Sequence, residues 1–200
     1  MLQVHEEIRR LRNDKSRRRF SPILDSSGVR YRQYEPFTLE QQVTLHERCE
    51  KQNWVGISDV ILPEFGRCLV STQKFKKDDV IVDYHGRVVE GVKFEDYIAQ
   101  TPSANENFCM EIKHRPSYII DATSEHCVKH PGHRCLGRFA NHADSRRGVA
   151  NIASTDVILD LIPGNPRVVV FRALRDIQPF TQLRFDYVDP VARALYKEKE

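Results

Sequence analysis

Two stretches of the chain bring together residue types that can do chemistry. Asn141 and His142 follow the stretch Leu-Gly-Arg-Phe-Ala, and this pair offers several hydrogen-bond donors and acceptors that need partners wherever it is buried. Near the C-terminus, Phe185 and Tyr187 stand at alternate positions, so that on a strand both side chains point to the same side. Both stretches are therefore candidates for a functional site.

A third candidate is a loop rich in histidine and cysteine, residues 126–135, called the His/Cys loop below. It holds five potential zinc ligands: His126, Cys127, His130, His133 and Cys135. Their spacing lacks the paired Cys-x-x-Cys pattern, so short a loop hardly wraps four ligands around one ion, and Lys129 and Arg134 add positive charge. We therefore predict no metal and interpret the segment as a solvated polar loop, with a zinc site as the alternative.

Other common catalytic signatures do not occur in the sequence. There is no Gly-rich phosphate loop and no dinucleotide-binding glycine pattern. A Gly-x-Ser-x-Gly nucleophile elbow is also missing. The two stretches and the His/Cys loop described above therefore remain as the candidate functional sites.

Length and composition indicate one soluble globular domain with flanking pieces. The chain has 200 residues, 40% of them hydrophobic and 30% charged, which is enough to build a core. No apolar run approaches the ~18 residues that a membrane span needs, and residues 1–12 are charged rather than signal-like. Five cysteines without paired spacing favour reduced thiols in the nucleus or cytosol. We expect no membrane partner.

Charge is distributed unevenly along the chain. Residues 1–34 carry nine Lys/Arg and four Asp/Glu, whereas the rest carries 22 and 24. A basic arm of this kind favours nuclear import or contact with nucleic acid. A solvated leader segment is the alternative.

The pattern of elements that must position these residues is rich in strands. Thr38 and Gln41 form a capping-box pattern that begins a helix running to about Lys51. Short strands are predicted at 56–62, 80–84, 87–90, 108–112, 118–121, 149–154 and 168–173, with a short helix at 93–100 and a last helix from Pro190. The fold class is therefore α+β, mainly β, with peripheral helices.

Five segments in order resemble the signature motifs of the SET-domain protein-lysine methyltransferases: 65–70, 80–86, 118–123, 137–142 and 185–187. Within that family the chain resembles the branch that monomethylates the histone H4 tail, because it shares Tyr84-His85-Gly86 and 99–103. It also has no cysteine after Cys135 and so no zinc-binding tail. The implied organisation is a basic arm and linker (1–37), a flanking helix (38–53), a SET domain (54–189) and a C-terminal helix (190–200).

The resemblance implies a SET fold with a knot-like C-terminal segment, and S-adenosyl-L-methionine as cofactor. It implies cofactor contacts at six positions: Phe65, Gly66, Arg67, Phe108, Asn141 and His142. It places Tyr187 as the hydroxyl that aligns the substrate amine, with Tyr84 lining the same channel from the opposite side. Phe185 corresponds to a Phe/Tyr switch, and its lack of a hydroxyl predicts di- or trimethylation although the branch stops at one methyl.

Methyl transfer suits these residue types. A free lysine has a pKa of ~10.4 and must lose its proton before it attacks. A cationic sulfonium and a dry channel both favour the neutral amine, so positioning and electrostatics carry most of the work.

Several positions depart from the family pattern. Cys68 replaces a glycine, where its Cβ is expected to crowd the cofactor, Ala143 replaces a serine, and Val188 replaces a glycine.

The leading interpretation is a monomeric, nuclear chromatin regulator that methylates a histone tail or another basic protein, with a cytoplasmic pool as an addition. A catalytically impaired SET-fold chromatin-binding module is the first alternative. A zinc-dependent nucleic-acid binder that uses the basic arm and the His/Cys loop is the second.

Overall fold

The computed structural model describes residues 36–112, 117–127, 129–143 and 148–187. The predicted basic arm, Val188 and the predicted helix from Pro190 lie outside the described residues.

The predicted N-terminal flanking helix is confirmed as α1, Leu39–Lys51. Its capping box forms as the sequence indicated: the Gln41 N–H donates to Thr38 Oγ1 over 3.3 Å and the Thr38 N–H donates to Gln41 Oε1 over 2.8 Å. The buried Gln42 side chain donates to Asp160 Oδ1 over 2.8 Å. This bond ties α1 to the loop between two strands of the main sheet.

Ten short strands build four small sheets in the described part of the chain. They are β1 (Ile57–Leu62), β2 (Gly66–Ser71), β3 (Val80–Tyr84), β4 (Arg87–Glu90), β5 (Cys109–Ile112), β6 (Tyr118–Asp121), β7 (Asn141–His142), β8 (Ile152–Ile158), β9 (Arg167–Ala173) and β10 (Arg184–Phe185). The other elements are α2 (Phe94–Gln100) and two 3-10 helices, η1 (Glu106–Phe108) and η2 (Leu136–Phe139). The predicted α+β, mainly β class is confirmed. No helix within the described ranges is long and apolar enough to cross a bilayer.

Pairing between strands is mostly non-local. β1 and β2 form an antiparallel hairpin, β9 lies between β3 and β8, and β6 lies between β4 and β5. β3 and β4 flank His85-Gly86 as predicted, but they belong to different sheets. Gly86 permits this crossing, because a Cβ there would lie 2.2 Å from the Asp121 carbonyl oxygen.

Several predicted strand boundaries differ from the structure by one to four residues. Phe108 ends η1 instead of starting a strand, because the Asn105 side chain accepts from the Asn107 N–H over 3.0 Å and caps that turn. The strand predicted at 149–154 is β8, which begins later, at Ile152, and continues to Ile158 because it pairs with β9 along its whole length. A local cap therefore set the first boundary, and pairing with a distant strand set the second.

The core centres on β9. Residues 169–173 are all buried, and because side chains alternate along a strand, both faces of β9 are covered. Phe171 has no exposed surface and contacts the rings of Tyr84 and Phe185. Truncation of a phenylalanine in such a position costs ~3–5 kcal/mol of folding free energy, so the core directly supports the residues next to β10.

The C-terminal part of the described chain is held from two sides. β10 pairs in parallel with β7 on one side. On the other, the buried Asn151 side chain donates to the Gln182 carbonyl over 2.8 Å and accepts from the Arg184 N–H over 2.9 Å. The closing segment therefore lies between β7 and Asn151, which agrees with the knot-like arrangement that the resemblance implied.

Candidate active site

A cavity of about 500 Å³ opens where β2, η2, β7 and the chain after β10 meet. Its volume lies within the ~300–1,000 Å³ range of small-molecule sites. It is lined by Phe65, Arg67, Asn107, Phe108, Glu125, Arg138, Phe139, Asn141, His142 and Tyr187. Five of the six predicted cofactor contacts therefore share one cavity with the predicted catalytic tyrosine.

The sixth predicted contact, Gly66, does not line the cavity itself. It stands between two lining residues with a φ of +66°. A Cβ at this position would meet nothing within 4 Å, so the glycine is needed for its backbone conformation and not for space. Gly66 thus shapes the turn that presents Phe65 and Arg67.

Asn141 is oriented by Cys68. The Asn141 side-chain amide donates to Cys68 Sγ over 3.1 Å, and Cys68 has no exposed surface. Burial raises the pKa of Cys68, while the Asn141 hydrogen bond and nearby Arg184 act in the opposite direction. The Cys68 side chain is fully buried and does not line the cavity, and the expected crowding of the cofactor stays a prediction.

His142 is tied to the chain that follows β10. The backbone N–H of Tyr187 donates to His142 Nδ1 over 3.1 Å, and the two rings lie 5.1 Å apart. Because Nδ1 accepts this bond, a neutral His142 carries its proton on Nε2. The two residues therefore form one connected wall of the cavity.

Four aromatic rings form a continuous row beside the cavity. Ring centroids are 6.0 Å apart from Tyr84 to Phe171, 4.5 Å from Phe171 to Phe185 and 4.5 Å from Phe185 to Tyr187. Tyr187 is at the cavity, whereas Tyr84 and Phe185 are buried behind it and do not line it.

The two tyrosine hydroxyls both donate to carbonyl oxygens. Tyr187 donates to Ala140 over 2.7 Å and Tyr84 donates to Phe108 over 2.8 Å. Burial raises the pKa of Tyr84 far above its usual value, so this hydroxyl stays protonated. Tyr187 is 44% exposed, which leaves it accessible to a substrate.

Charged side chains form a network at the edge of the cavity. Arg67 pairs with Glu125 over 2.9 Å, and Arg134 contacts Glu125 and binds Asp59 through two bonds of 3.0 and 2.8 Å. The Arg134 hydrogen bond lowers the pKa of Asp59. Burial opposes ionisation of Glu125, but Arg134 and Arg67 outweigh it and lower its pKa.

Sequence reasoning missed four lining residues: Asn107, Glu125, Arg138 and Phe139. Arg138 and Phe139 lie within the 137–142 motif, so the motif itself was the signal that could have found them. Arg138 stacks 3.9 Å above the ring centre of Phe108, a contact between residues far apart in sequence. No local pattern indicates Asn107 or Glu125.

A second cluster of chemically active groups lies behind η2. One ligand atom each from His85, Cys127 and His130 all fall within 4.8 Å of one another. Burial lowers the pKa of His85, but contacts with Asp83 and Cys135 outweigh it and raise the pKa to about 10. Cys127, His130 and Cys135 therefore pack against the turn between β3 and β4, whereas the loop residues His126, Lys129 and 131–133 are exposed, so the predicted solvated loop holds for part of the segment.

Comparison with known proteins agrees with this fold and site. A family model of the SET domain matches residues 66–188, which is more than half of the chain. The chain belongs to the SET-domain family.

Individual relatives are also similar. The chain is 31% identical over 141 residues to the N-lysine methyltransferase KMT5A-A of Danio rerio. That alignment covers 67% of this chain but 37% of the relative, so the chain spans well under half of that protein's length. The crystal structure of ATXR5 in complex with a mono-methylated histone H3.1 superposes with a TM-score of 0.53 and 17% identity. It covers 82% of this chain and 70% of that one, and it shows the fold.

Proposed function

We propose that this chain is a protein-lysine methyltransferase that uses S-adenosyl-L-methionine and acts on a histone tail or another basic protein. The observation that carries the proposal is the convergence of Asn141, His142 and Tyr187 on one cavity next to a row of aromatic rings. Family membership and the N-lysine methyltransferase name of the zebrafish relative support it.

The residues of the cavity fit the cofactor, which supplies a methyl group activated by a positively charged sulfur. Phe65 and Phe108 offer apolar surface, Asn141 and His142 offer polar groups, and the volume of about 500 Å³ suits a ligand of that size. Arg67 and Glu125 stand paired at the edge, where they can bind the charged amino-acid end of the ligand. Phe65, Gly66, Arg67, Phe108, Asn141 and His142 are therefore our proposed cofactor-binding residues.

Tyr187 is the proposed catalytic residue. Its hydroxyl donates to the Ala140 carbonyl over 2.7 Å, which fixes the ring at the wall of the cavity, and a tyrosine oxygen is a group that can accept a hydrogen bond from a neutral amine. The buried Tyr84 stabilises the opposite end of the aromatic row by its bond to Phe108. The aromatic walls also suit a cationic or methylated lysine before or after transfer.

Binding and turnover test this proposal separately. S-adenosylmethionine should bind the full chain with measurable heat, and His142→Ala should weaken binding because it removes the group that holds the Tyr187 backbone. Methyl transfer to a panel of histones should then follow. No binding at cofactor concentrations far above cellular levels would refute the proposal, whereas tight binding without turnover on any histone would favour the impaired chromatin-binding module.

The number of methyl groups transferred depends on Phe185 in this proposal. Phe185 packs 4.5 Å from both Phe171 and Tyr187 and has no hydroxyl to hold a water against the amine. Since ~1.4 kcal/mol in a barrier is a tenfold difference in rate, one hydroxyl can decide the product. We expect di- or trimethylated product from the natural chain and mainly monomethylated product from Phe185→Tyr, measured by mass spectrometry of saturated reactions.

One control variant and one contradicting outcome define that result. Phe171→Tyr places a hydroxyl on the neighbouring ring, farther from Tyr187, and should leave the product distribution alone. Monomethylated lysine as the sole product of the natural chain, with cofactor and enzyme in excess, would overturn this assignment.

Location and partners follow from the same proposal. We infer a nuclear chromatin enzyme that works as a monomer, with its basic arm (1–37) contacting nucleic acid. The arm carries a surplus of Lys/Arg, and such contacts weaken steeply with salt. Binding of DNA by the full chain should therefore fall as salt rises and vanish when the arm is removed.

A further inference from the structure

We propose that His85, Cys127 and His130 bind one zinc ion, with Cys135 as the fourth ligand, and that this ion pins the His/Cys loop to the turn between β3 and β4. Ligand atoms of the first three residues lie within 4.8 Å of one another, and Cys135 Sγ is 3.0 Å from His85 Nε2. Two ligands of one tetrahedral zinc stand ~3.3–3.8 Å apart, and Cys135 is not part of the three-residue cluster, so its side chain would have to turn toward the other ligands. Side-chain shifts of this kind would close the site.

The loop alone does not have to wrap the ion, which removes the main objection from the sequence. His85 comes from outside the loop and supplies one corner of the tetrahedron. The loop is closed at its base by a bridge between His126 and Arg134 and by the Cys135 N–H, which donates to the Glu125 carbonyl over 2.9 Å. These bonds bring the two ends of the loop, and with them Cys127 and Cys135, to the same side.

Charge also favours the ion once the tertiary contacts are known. Arg134 points to Asp59 and Glu125, which neutralise it, so it does not face the cluster. Two cysteine thiolates balance the two charges of zinc. Lys129 is exposed, where water screens its charge.

A carboxylate stands behind His85 without forming a hydrogen bond to it. His85 Nδ1 lies 3.1 Å from Asp83 Oδ1, while the other oxygen of this buried carboxylate accepts from the Gln52 amide over 2.7 Å. A carboxylate behind a histidine is the usual way to fix the ring and direct its second nitrogen to a metal. The buried Nδ1 of His130 has no hydrogen-bond partner among the described residues, so this ring nitrogen is available for a ligand.

The ligand types select the metal and its role. Thiolate and imidazole favour zinc over magnesium or calcium, which take oxygen ligands. Four protein ligands leave no open position, which is typical of structural rather than catalytic zinc. Cys135 directly precedes η2, whose Arg138 and Phe139 line the cofactor cavity, so the ion would stiffen one wall of that cavity without entering the chemistry.

Elemental analysis of the full chain, purified under reducing conditions, tests the site. We expect about one zinc per chain, lost at least tenfold in Cys127→Ser and in His130→Ala. His126→Ala and His133→Ala are matched controls, because both residues are exposed histidines of the same loop outside the cluster, and both variants should keep their zinc. Less than about one-tenth zinc per chain after incubation with zinc and desalting would overturn the proposal, as would full retention in both ligand variants.

A Co²⁺ titration of the wild-type protein tests the site even if a ligand variant fails to fold. Wild-type protein stripped of zinc and titrated with Co²⁺ alone should develop the visible absorption of a tetrahedral cobalt–thiolate site, and zinc should abolish it. A titration without these bands contradicts the proposed ligands. Both readouts are independent of methyl transfer, so they stand or fall separately from the proposed enzyme.

Discussion

The cofactor cavity and the zinc cluster proposed here lie on either side of η2, yet they are built for different occupants. The cavity is open at one edge, and its polar groups already have protein partners, such as Cys68 for Asn141 and the Tyr187 backbone for His142. The cluster behind η2 is half-buried, and it contains a buried histidine nitrogen that has no hydrogen-bond partner among the described residues. An exchangeable ligand suits the first environment, because the protein itself satisfies the polar groups there, whereas a resident ion suits the second, where a buried polar atom needs a partner.

Among tests of this comparison, we expect the largest effect on activity from a substitution of Tyr187 at the cavity. Tyr187→Phe removes the hydroxyl that bonds to Ala140 and would accept the substrate amine. Loss of one preorganised polar group at a reacting centre commonly costs ~10²–10³-fold in kcat, so we expect a fall of that size, measured by methyl transfer to histones. Cofactor affinity should hardly change.

Tyr97→Phe provides the matched control for that experiment. Tyr97 is a buried tyrosine whose hydroxyl bonds to Asp121 over 2.7 Å, away from the cavity. Its variant should lose ~1 kcal/mol of stability and keep its activity. Equal turnover in Tyr187→Phe and wild type would show that the cavity is not the reacting centre.

A smaller effect is expected at Cys68, which supports the cavity from within the core. Cys68→Ala leaves the Asn141 amide without its acceptor at 3.1 Å, and a net hydrogen bond is worth ~0.5–1.5 kcal/mol. Cofactor affinity should therefore fall by ~2–10-fold, measured by calorimetry. Cys49→Ala on α1 changes an equally buried thiol far from the cavity and should leave affinity unchanged; unaltered binding in Cys68→Ala would mean that Asn141 does not contact the cofactor.

The smallest effect concerns the ion network that joins the two regions. Asp59 and Glu125 have lowered pKa values because of Arg134 and Arg67. A carboxyl whose folded pKa is lowered stabilises the fold above its ordinary pKa of ~4 and loses that contribution as pH falls through the lowered value. The thermal unfolding midpoint should therefore decrease as the pH is lowered below about 4, and the decrease should be smaller in Asp59→Asn.

An exposed helical pair controls for general acid effects. Glu47 pairs with Lys51 over 3.3 Å on α1, and both side chains are more than half exposed, so the pair contributes little. Glu47→Gln should reproduce the wild-type acid profile. If the thermal midpoint of Asp59→Asn decreases with falling pH as steeply as that of the wild type, the ion network does not contribute to this pH dependence.

The sequence by itself determined the family, the fold class and most of the cavity, because these depend on short segments whose residues act near one another. The capping box at Thr38, the turn at Gly66 and the Asn141-His142 pair each carry their own signal within a few positions. The C-terminal motif with Tyr187 does so as well. Local periodicity and local hydrogen bonding are sufficient to place such residues on their elements.

Only the tertiary structure decided which residues that are distant in sequence contact one another across the core. It turned the Cys68 side chain inward to Asn141, set β3 and β4 in different sheets, and placed Glu125 at the cavity. It also brought His85 to Cys127 and His130, which the loop's own spacing does not indicate. The physical reason is that these contacts join residues brought together by non-local strand pairing and core packing, and no pattern within one segment encodes the distance to another.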